Sequence, residues 1–140
     1  MKVVIVGCGR VGARLARQLS EQEHEVTLID RNPAAFMQAS AKGILDSEFQ
    51  GNLVVGDGCD ADTLRRSGAE NADTFIAVTE GDNRNIMAAQ IAQYLFKVPK
   101  VICRIYDPVR EEAYRKFGLT TFCPTLEGAN LVLKMIQEES

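Results

Sequence analysis

No apolar run in this chain approaches the roughly 18 to 20 residues that a membrane-crossing helix needs. The longest, such as VVIVG and TFIAV, have the length of a strand, so no transmembrane helix is expected. A block of lysine and arginine is missing as well. With a net charge of −3 and a pI near 5.2, the chain carries no electrostatic footprint for a phosphate backbone, which excludes nucleic acid as the expected partner. The four cysteines, Cys8, Cys59, Cys103 and Cys123, show no CxxC spacing. Three of them lie within or at the ends of apolar segments, the pattern of reduced, packed thiols. The single histidine, His24 in SEQEHEV, falls between a predicted helix and a predicted strand, at the end of the sheet away from the motifs described below. No acid/base pair, Ser/His arrangement or metal-ligand cluster is visible. No catalytic residue and no metal is therefore assigned, and the chain is expected not to be an enzyme. Low-complexity segments, linkers and internal repeats are absent too.

What is present is an ordinary globular composition: 140 residues, 46% hydrophobic and 25% charged. That length suits one domain over residues 1–140 and is too short for a nucleotide domain followed by a substrate domain. Met1-Lys2 passes directly into an apolar strand, which does not read as a cleavable leader, so a cytoplasmic location is expected.

Segments rich in Val, Ile and Leu alternate with segments of helical period. They predict strands over 2–6, 25–29, 52–55, 73–78, 100–104 and 120–123, and helices over 10–21, 33–47, 60–67, 83–97, 107–117 and 125–139. Asp60 and Asp82 read as N-caps, Gly68 and Gly118 as C-terminal stops, and Pro33 and Pro108 as first-turn residues. Strands separated by helices cannot pair as hairpins, so they predict a parallel sheet with right-handed crossovers. The expected fold is α/β: a Rossmann-like, doubly wound six-stranded sheet of order 3-2-1-4-5-6 that ends in a helix.

The first strand runs into Gly7-Cys8-Gly9-Arg10-Val11-Gly12. In this GxGxxG pattern the first glycine permits a tight turn, the second lets the backbone approach a pyrophosphate, and the third lets helix and strand pack closely. The helix start then offers free N–H groups and a positive dipole end to phosphates. Asp30, in VTLIDRNP, follows Gly12 by 18 residues, at the end of the next strand. There a carboxylate can accept the adenosine ribose hydroxyls, which favours NAD(H), ADP or ATP and makes NADP unsuited. Arg31 faces solvent or lies over the adenine. Asp57 and Gly58, in NLVVGDGCD, fall at the carboxyl edge where adenine would present its edge; alternatively Asp57 and Asp60 form only a turn and a cap. Val78, Thr79 and Glu80 line the same edge after the fourth strand. Arg104, closing KVICRI, reaches a phosphate or the distal half of a dinucleotide, or else pairs with a carboxylate.

In the last helix Leu126, Ala129, Leu131, Val132, Leu133, Met135 and Ile136 cover more than one face. Either the helix is a generous core element or its second face meets another subunit or domain.

With these motifs the whole chain resembles the N-terminal nucleotide-binding (KTN/RCK, TrkA-N) domain of the Trk/Ktr potassium-uptake regulators. The segments that carry the resemblance are VIVGCGRVG, TLIDRNP, VVGDGCDADTLRRSGAENAD, IAVTEGDNRNIMAA, VICRIYDP and FCPTLEGANLV. The resemblance implies a regulatory subunit at the inner face of the membrane, peripheral through its partner. Such a subunit forms a homo-oligomer, a dimer or a ring of dimers, and gates a potassium channel or transporter according to the bound NAD(H) or ATP/ADP. It implies a phosphate-facing loop of Gly7, Cys8, Gly9, Arg10, Val11 and Gly12, with Asp30 on ribose, Asp57 and Gly58 beside adenine, and Val78, Thr79 and Arg104 around the remaining crevice. Arg10 stands where an arginine of Ktr-type members reaches a γ-phosphate across a subunit contact; a solvated arginine at a helix start is the plainer reading. The resemblance also implies a last helix that crosses to a neighbouring subunit. Full-length regulators carry a further C-terminal domain, so an isolated domain or a short stand-alone member is expected. The alternatives are the coenzyme domain of an NAD-dependent oxidoreductase or a regulatory module of another cation transporter.

Overall fold

The computed structural model describes residues 1–138. Six strands, β1 (Lys2–Val6), β2 (Glu25–Asp30), β3 (Asn52–Val55), β4 (Thr74–Ala77), β5 (Lys100–Arg104) and β6 (Thr120–Phe122), form one sheet in the order β3-β2-β1-β4-β5-β6. Every pairing is parallel. The helices α1 (Arg10–Glu21), α2 (Pro33–Ala41), α3 (Ala61–Arg66), α4 (Asp82–Gln90) and α5 (Pro108–Lys116) connect successive strands, and α6 (Pro124–Glu138) follows β6.

Because side chains alternate across a strand, β1 feeds both faces of the sheet. Val4 and Val6 join Phe75, Cys103, Leu64 and Ile86 on one side. Val3 and Ile5 join Leu28, Ile76, Ala13, Ala16 and Phe36 on the other. From Val3 to Val6 the strand is buried on both faces, which is why VVIV is a continuous apolar run and not an alternating one. The order reverses between β1 and β4, which leaves a crevice at the carboxyl edge of the sheet, the place where doubly wound folds bind ligands.

Asp60 accepts the Asp62 N–H as the N-cap of α3, and Pro33 and Pro108 open α2 and α5. Three expected features are corrected. The second helix ends at Ala41 and not at residue 47: Gly43 takes φ +75°, and the N–H groups of Ile44 and Leu45 both donate back to the Ala39 carbonyl. This turns Leu45 into the core. The fourth helix does not run regularly to residue 97, since its last turn widens to a π-helix over Ile91–Leu95. Gly81, not Asp82, occupies the N-cap of α4. The Asp82 carboxylate instead accepts the N–H groups of Tyr106 (2.8 Å) and Asp107 (3.1 Å), binding the start of α4 to the loop after β5. The expected last helix, 125–139, matches α6 up to Glu138; its final position lies outside the described residues.

All four cysteines are free, and Cys8, Cys103 and Cys123 are buried. His24 sits at the far end of the sheet, where its Nδ1 lies 3.0 Å from the amino terminus. Among the described residues no helix is long and apolar enough to cross a membrane.

Candidate nucleotide site

The three glycines of the first loop are fixed by three different contacts. Gly7 turns the chain with φ +113°, and a Cβ there would lie 2.7 Å from the Val78 carbonyl oxygen. At Gly12 a Cβ would stand 1.8 Å from the Gly7 oxygen, so α1 packs against the loop as closely as its backbone allows. Gly9 has nothing within 4 Å of its Cβ direction; this is the open approach to the loop. The Ala13 N–H makes the first α1 bond, to the Gly9 carbonyl, and Gly9 supplies no capping side chain. The N–H groups of the first helical turn therefore face the crevice without intrahelical partners.

Asp30 organises this loop. Its Oδ2 accepts the Cys8 N–H (2.8 Å) and its Oδ1 accepts the Asn32 N–H (2.9 Å). The carboxylate thus binds the ends of β1 and β2 together while remaining half-buried in the crevice wall. Cys8 is buried, and its Sγ donates to the Ala35 carbonyl. Burial, and secondarily the Asp30 charge, push its thiol up to about 11. At neutral pH the loop therefore presents no thiolate to an anionic ligand.

Across the crevice, the Asn85 side chain is fully buried. Its Oδ1 accepts both the N–H (2.7 Å) and the hydroxyl (2.6 Å) of Thr79, and its Nδ2 donates to the carbonyls of Thr79 (2.9 Å) and Arg104 (3.0 Å). This one amide holds the ends of β4 and β5 in register, a role that its place in DNRNIMAA did not disclose. Arg104 is only 6% exposed. Its Nη2 donates to the carbonyls of Val78 (2.7 Å) and Thr79 (2.9 Å), and its guanidinium carbon lies 4.8 Å from the Tyr106 ring centroid. Among the described residues no carboxylate pairs with it, so the expected ion-pair alternative is not realised, and its buried Nε has no acceptor. A buried cation held only by neutral dipoles is costly unless an anion arrives.

Together these elements enclose a cleft of about 580 Å³. Of the expected site residues, Gly7, Cys8, Gly9, Arg10, Asp30, Arg31, Gly58, Val78, Thr79 and Arg104 line it. Val11, Gly12 and Asp57 do not. Val11 points outward on α1, Gly12 is buried in the helix contact, and Asp57 is turned to Arg84, whose Nη2 donates to Asp57 Oδ1 at 2.5 Å. Asp57 also accepts the Cys59 N–H, and that bond, followed by Arg84, holds its carboxyl below the usual range. The sequence reading missed Asn32, Gln38, Arg84 and Tyr106 as lining residues. The spacing of charged residues after a strand end is the only sequence signal that points to Arg84. Four arginines, Arg10, Arg31, Arg84 and Arg104, border the cleft against two acids, Asp30 and Glu80. The cleft is therefore cationic in a chain of net charge −3. Among the described residues no group of three or more His, Cys, Asp and Glu is placed to hold a metal ion.

The TrkA-N domain family matches residues 3–123. The "Trk system potassium uptake protein TrkA" of Streptomyces coelicolor is 45% identical over 136 residues, which are 97% of this chain and 58% of that protein. A homologue from Methanothermobacter thermautotrophicus is 34% identical over 137 residues, covering 97% of this chain and 60% of its own length. The chain thus spans about three-fifths of the length of these relatives. Among solved structures, the AMP-bound Kef C-terminal domain of Shewanella denitrificans superposes with a TM-score of 0.79 at 20% identity, over 100% of this chain and 82% of that one. At that identity the likeness speaks to the fold.

Proposed function

The chain belongs to the TrkA-N domain family, and on that premise we propose that it is the nucleotide-sensing domain of a potassium-uptake regulator. The cleft takes NAD(H) or ATP/ADP, and its occupancy biases how neighbouring copies are arranged beneath a membrane potassium channel or transporter. The observation that carries this reading is the junction of an uncapped helix start, a loop-bound Asp30 and a buried Arg104 with no carboxylate partner among the described residues, all on one cleft. Phosphates rest on the α1 start. The Asp30 carboxylate, held in place by two backbone N–H groups, accepts the ribose hydroxyls and repels a 2′-phosphate, so NADP is disfavoured. Arg104 takes the phosphate or distal half of the ligand, where the incoming charge offsets the cost of its burial. Val78 and Thr79 form the wall beneath it. The AMP held by the similarly folded Kef domain agrees with an adenine nucleotide.

The second half of the reading is assembly. α6 buries none of its described residues, and Leu131, Val132, Leu133, Met135 and Ile136 are each more than half exposed. An apolar face of this extent requires a cover, and a second copy that offers the same helix supplies one symmetrically. The regulator then works at the cytoplasmic face, peripheral through its membrane partner, as a sensor without catalysis. A ligand shifts such an equilibrium only through unequal affinity for the two arrangements.

Calorimetric titration of the purified chain with NADH, NAD, ATP and ADP tests the site. Binding of at least one of them is expected, together with its loss in Asp30→Ala. No binding by the parent chain would remove the proposal.

A further inference from the structure

Of the two expectations for Asp57, beside the base or in a turn with Asp60 as a cap, the turn and cap are what form; Asp57 does not line the cleft, and Arg84 does. Arg84 stands on the first turn of α4, after β4, whereas Asp57 follows β3, and β3 and β4 are not neighbours in the sheet. The 2.5 Å contact between them therefore crosses the ends of β2 and β1. The Cys59 thiol adds a second tie, donating to the Arg84 carbonyl at 3.4 Å. Asp57 is itself fixed by the Cys59 N–H at 2.9 Å. A long, flexible side chain is thus held in one place by an acid that a turn has already oriented.

Its place along the cleft follows from the order of a nucleotide's parts. With phosphates at Gly9 and ribose at Asp30, the base must continue away from α1, over the loop that follows β3. The floor there is Gly56 and Gly58, and a Cβ on Gly58 would stand 2.2 Å from the Val6 side chain. That closeness leaves no room for a side chain at Gly58. Arg31 borders this end from the β2–α2 loop and Arg84 borders it from α4. The charge of Arg31 is also felt at Asp57. Two glycines without side chains, bordered by two guanidinium groups of which one is clamped, leave room for the face of an aromatic base.

We infer that Arg84 is a base-binding residue of this cleft, its guanidinium plane laid against a purine, and that Asp57 acts through it as a positioning residue. The inference rests on the nucleotide reading above and adds what selects the base. Stacking area favours a purine over a pyrimidine, so selectivity for ATP over CTP is the signature, and phosphate contacts cancel in that ratio.

The test measures ATP and CTP affinities for the full chain and for Arg84→Leu, Arg84→Lys and Asp57→Asn, with thermal melting as a control for folding. The parent is expected to prefer ATP. Arg84→Leu should weaken ATP about tenfold and CTP much less, the scale of a partly desolvated cation–π contact. Arg84→Lys keeps the charge and loses the plane, so it should not restore selectivity, and Asp57→Asn should fall between it and the parent. Equal losses for ATP and CTP, restoration by lysine, or an unchanged ratio would overturn the inference while leaving nucleotide binding intact. A parent chain that binds neither ATP nor CTP would overturn this inference, and one that also fails to bind NADH, NAD and ADP would overturn the nucleotide reading itself.

Discussion

Helices α1 and α6 both begin at the carboxyl edge of the sheet, directly after a strand, and they end in opposite circumstances. α1 buries Gly12, Ala13 and Ala16 against its own chain, and a Cβ at Gly12 would collide with the loop. α6 buries nothing, although five of its large apolar residues stand in a row of six, from Leu131 to Ile136. The first helix is held by intrachain packing down to the last ångström. The second carries the raw material of a core and no core to join. Packing closeness marks where the chain has finished its own structure, and uncovered apolar area marks where the proposed assembly would finish it.

The largest effect that tests this contrast is expected at Gly12. Gly12→Val drives atoms into a backbone oxygen that cannot move, and overpacking of that kind costs at least 1 to 3 kcal/mol, or roughly 10 °C of melting temperature in a domain of this size. Thermal unfolding followed by circular dichroism measures it; a variant that melts with the parent would show that α1 is not packed as described. The counterpart on α6 is the pair Leu133→Asp and Ile136→Asp. It should dissociate the proposed oligomer at micromolar concentration, as read by sedimentation velocity, while leaving helical content almost unchanged. Unfolding in place of dissociation would mean that α6 is a core element after all.

Smaller in size is Asp30→Ala. It removes the acceptor of the Cys8 and Asn32 N–H groups as well as the proposed ribose ligand, so binding should be lost from the titration, with a stability loss on the order of 1 kcal/mol. Smallest is the response of Cys8. Its thiol is raised from 9.0 to about 11, which means that the folded state favours the protonated form. The associated stability is complete below pH 9 and fades as pH rises toward 11. At pH 8 Cys8 should resist alkylation by iodoacetamide in the folded chain, and mass mapping of the modified cysteines checks it. Rapid modification would show that the loop opens.

The alternation of apolar and amphipathic segments disclosed all six strands, their order and the glycine loop. These depend on periodicity and on residue types with few substitutes: only glycine fits at Gly12, and β1, buried on both faces from Val3 to Val6, must be apolar there. The end of α2 escaped because Gly43 stops the helix in the middle of a segment of good helix formers. Asp82 escaped because an acid at a helix start can serve its own helix or a loop distant in sequence, and the loop after β5 claims it. The turn at Asp57 and the cap at Asp60 were legible as one of two readings, but the partner of Asp57, Arg84, is 27 residues away and carries no local signal.

Local pattern therefore determined the sheet, the position of the cleft and the charge that Asp30 contributes to it, because each follows from the steric and hydrophobic demands of a short stretch of chain. Only the tertiary structure decided that Arg104 is buried with no carboxylate on it among the described residues, that Asn85 binds β4 to β5, and that Arg84 rather than Asp57 faces the cleft. Those outcomes depend on which long side chains meet across strands that are not adjacent in sequence, and no periodicity encodes such a meeting.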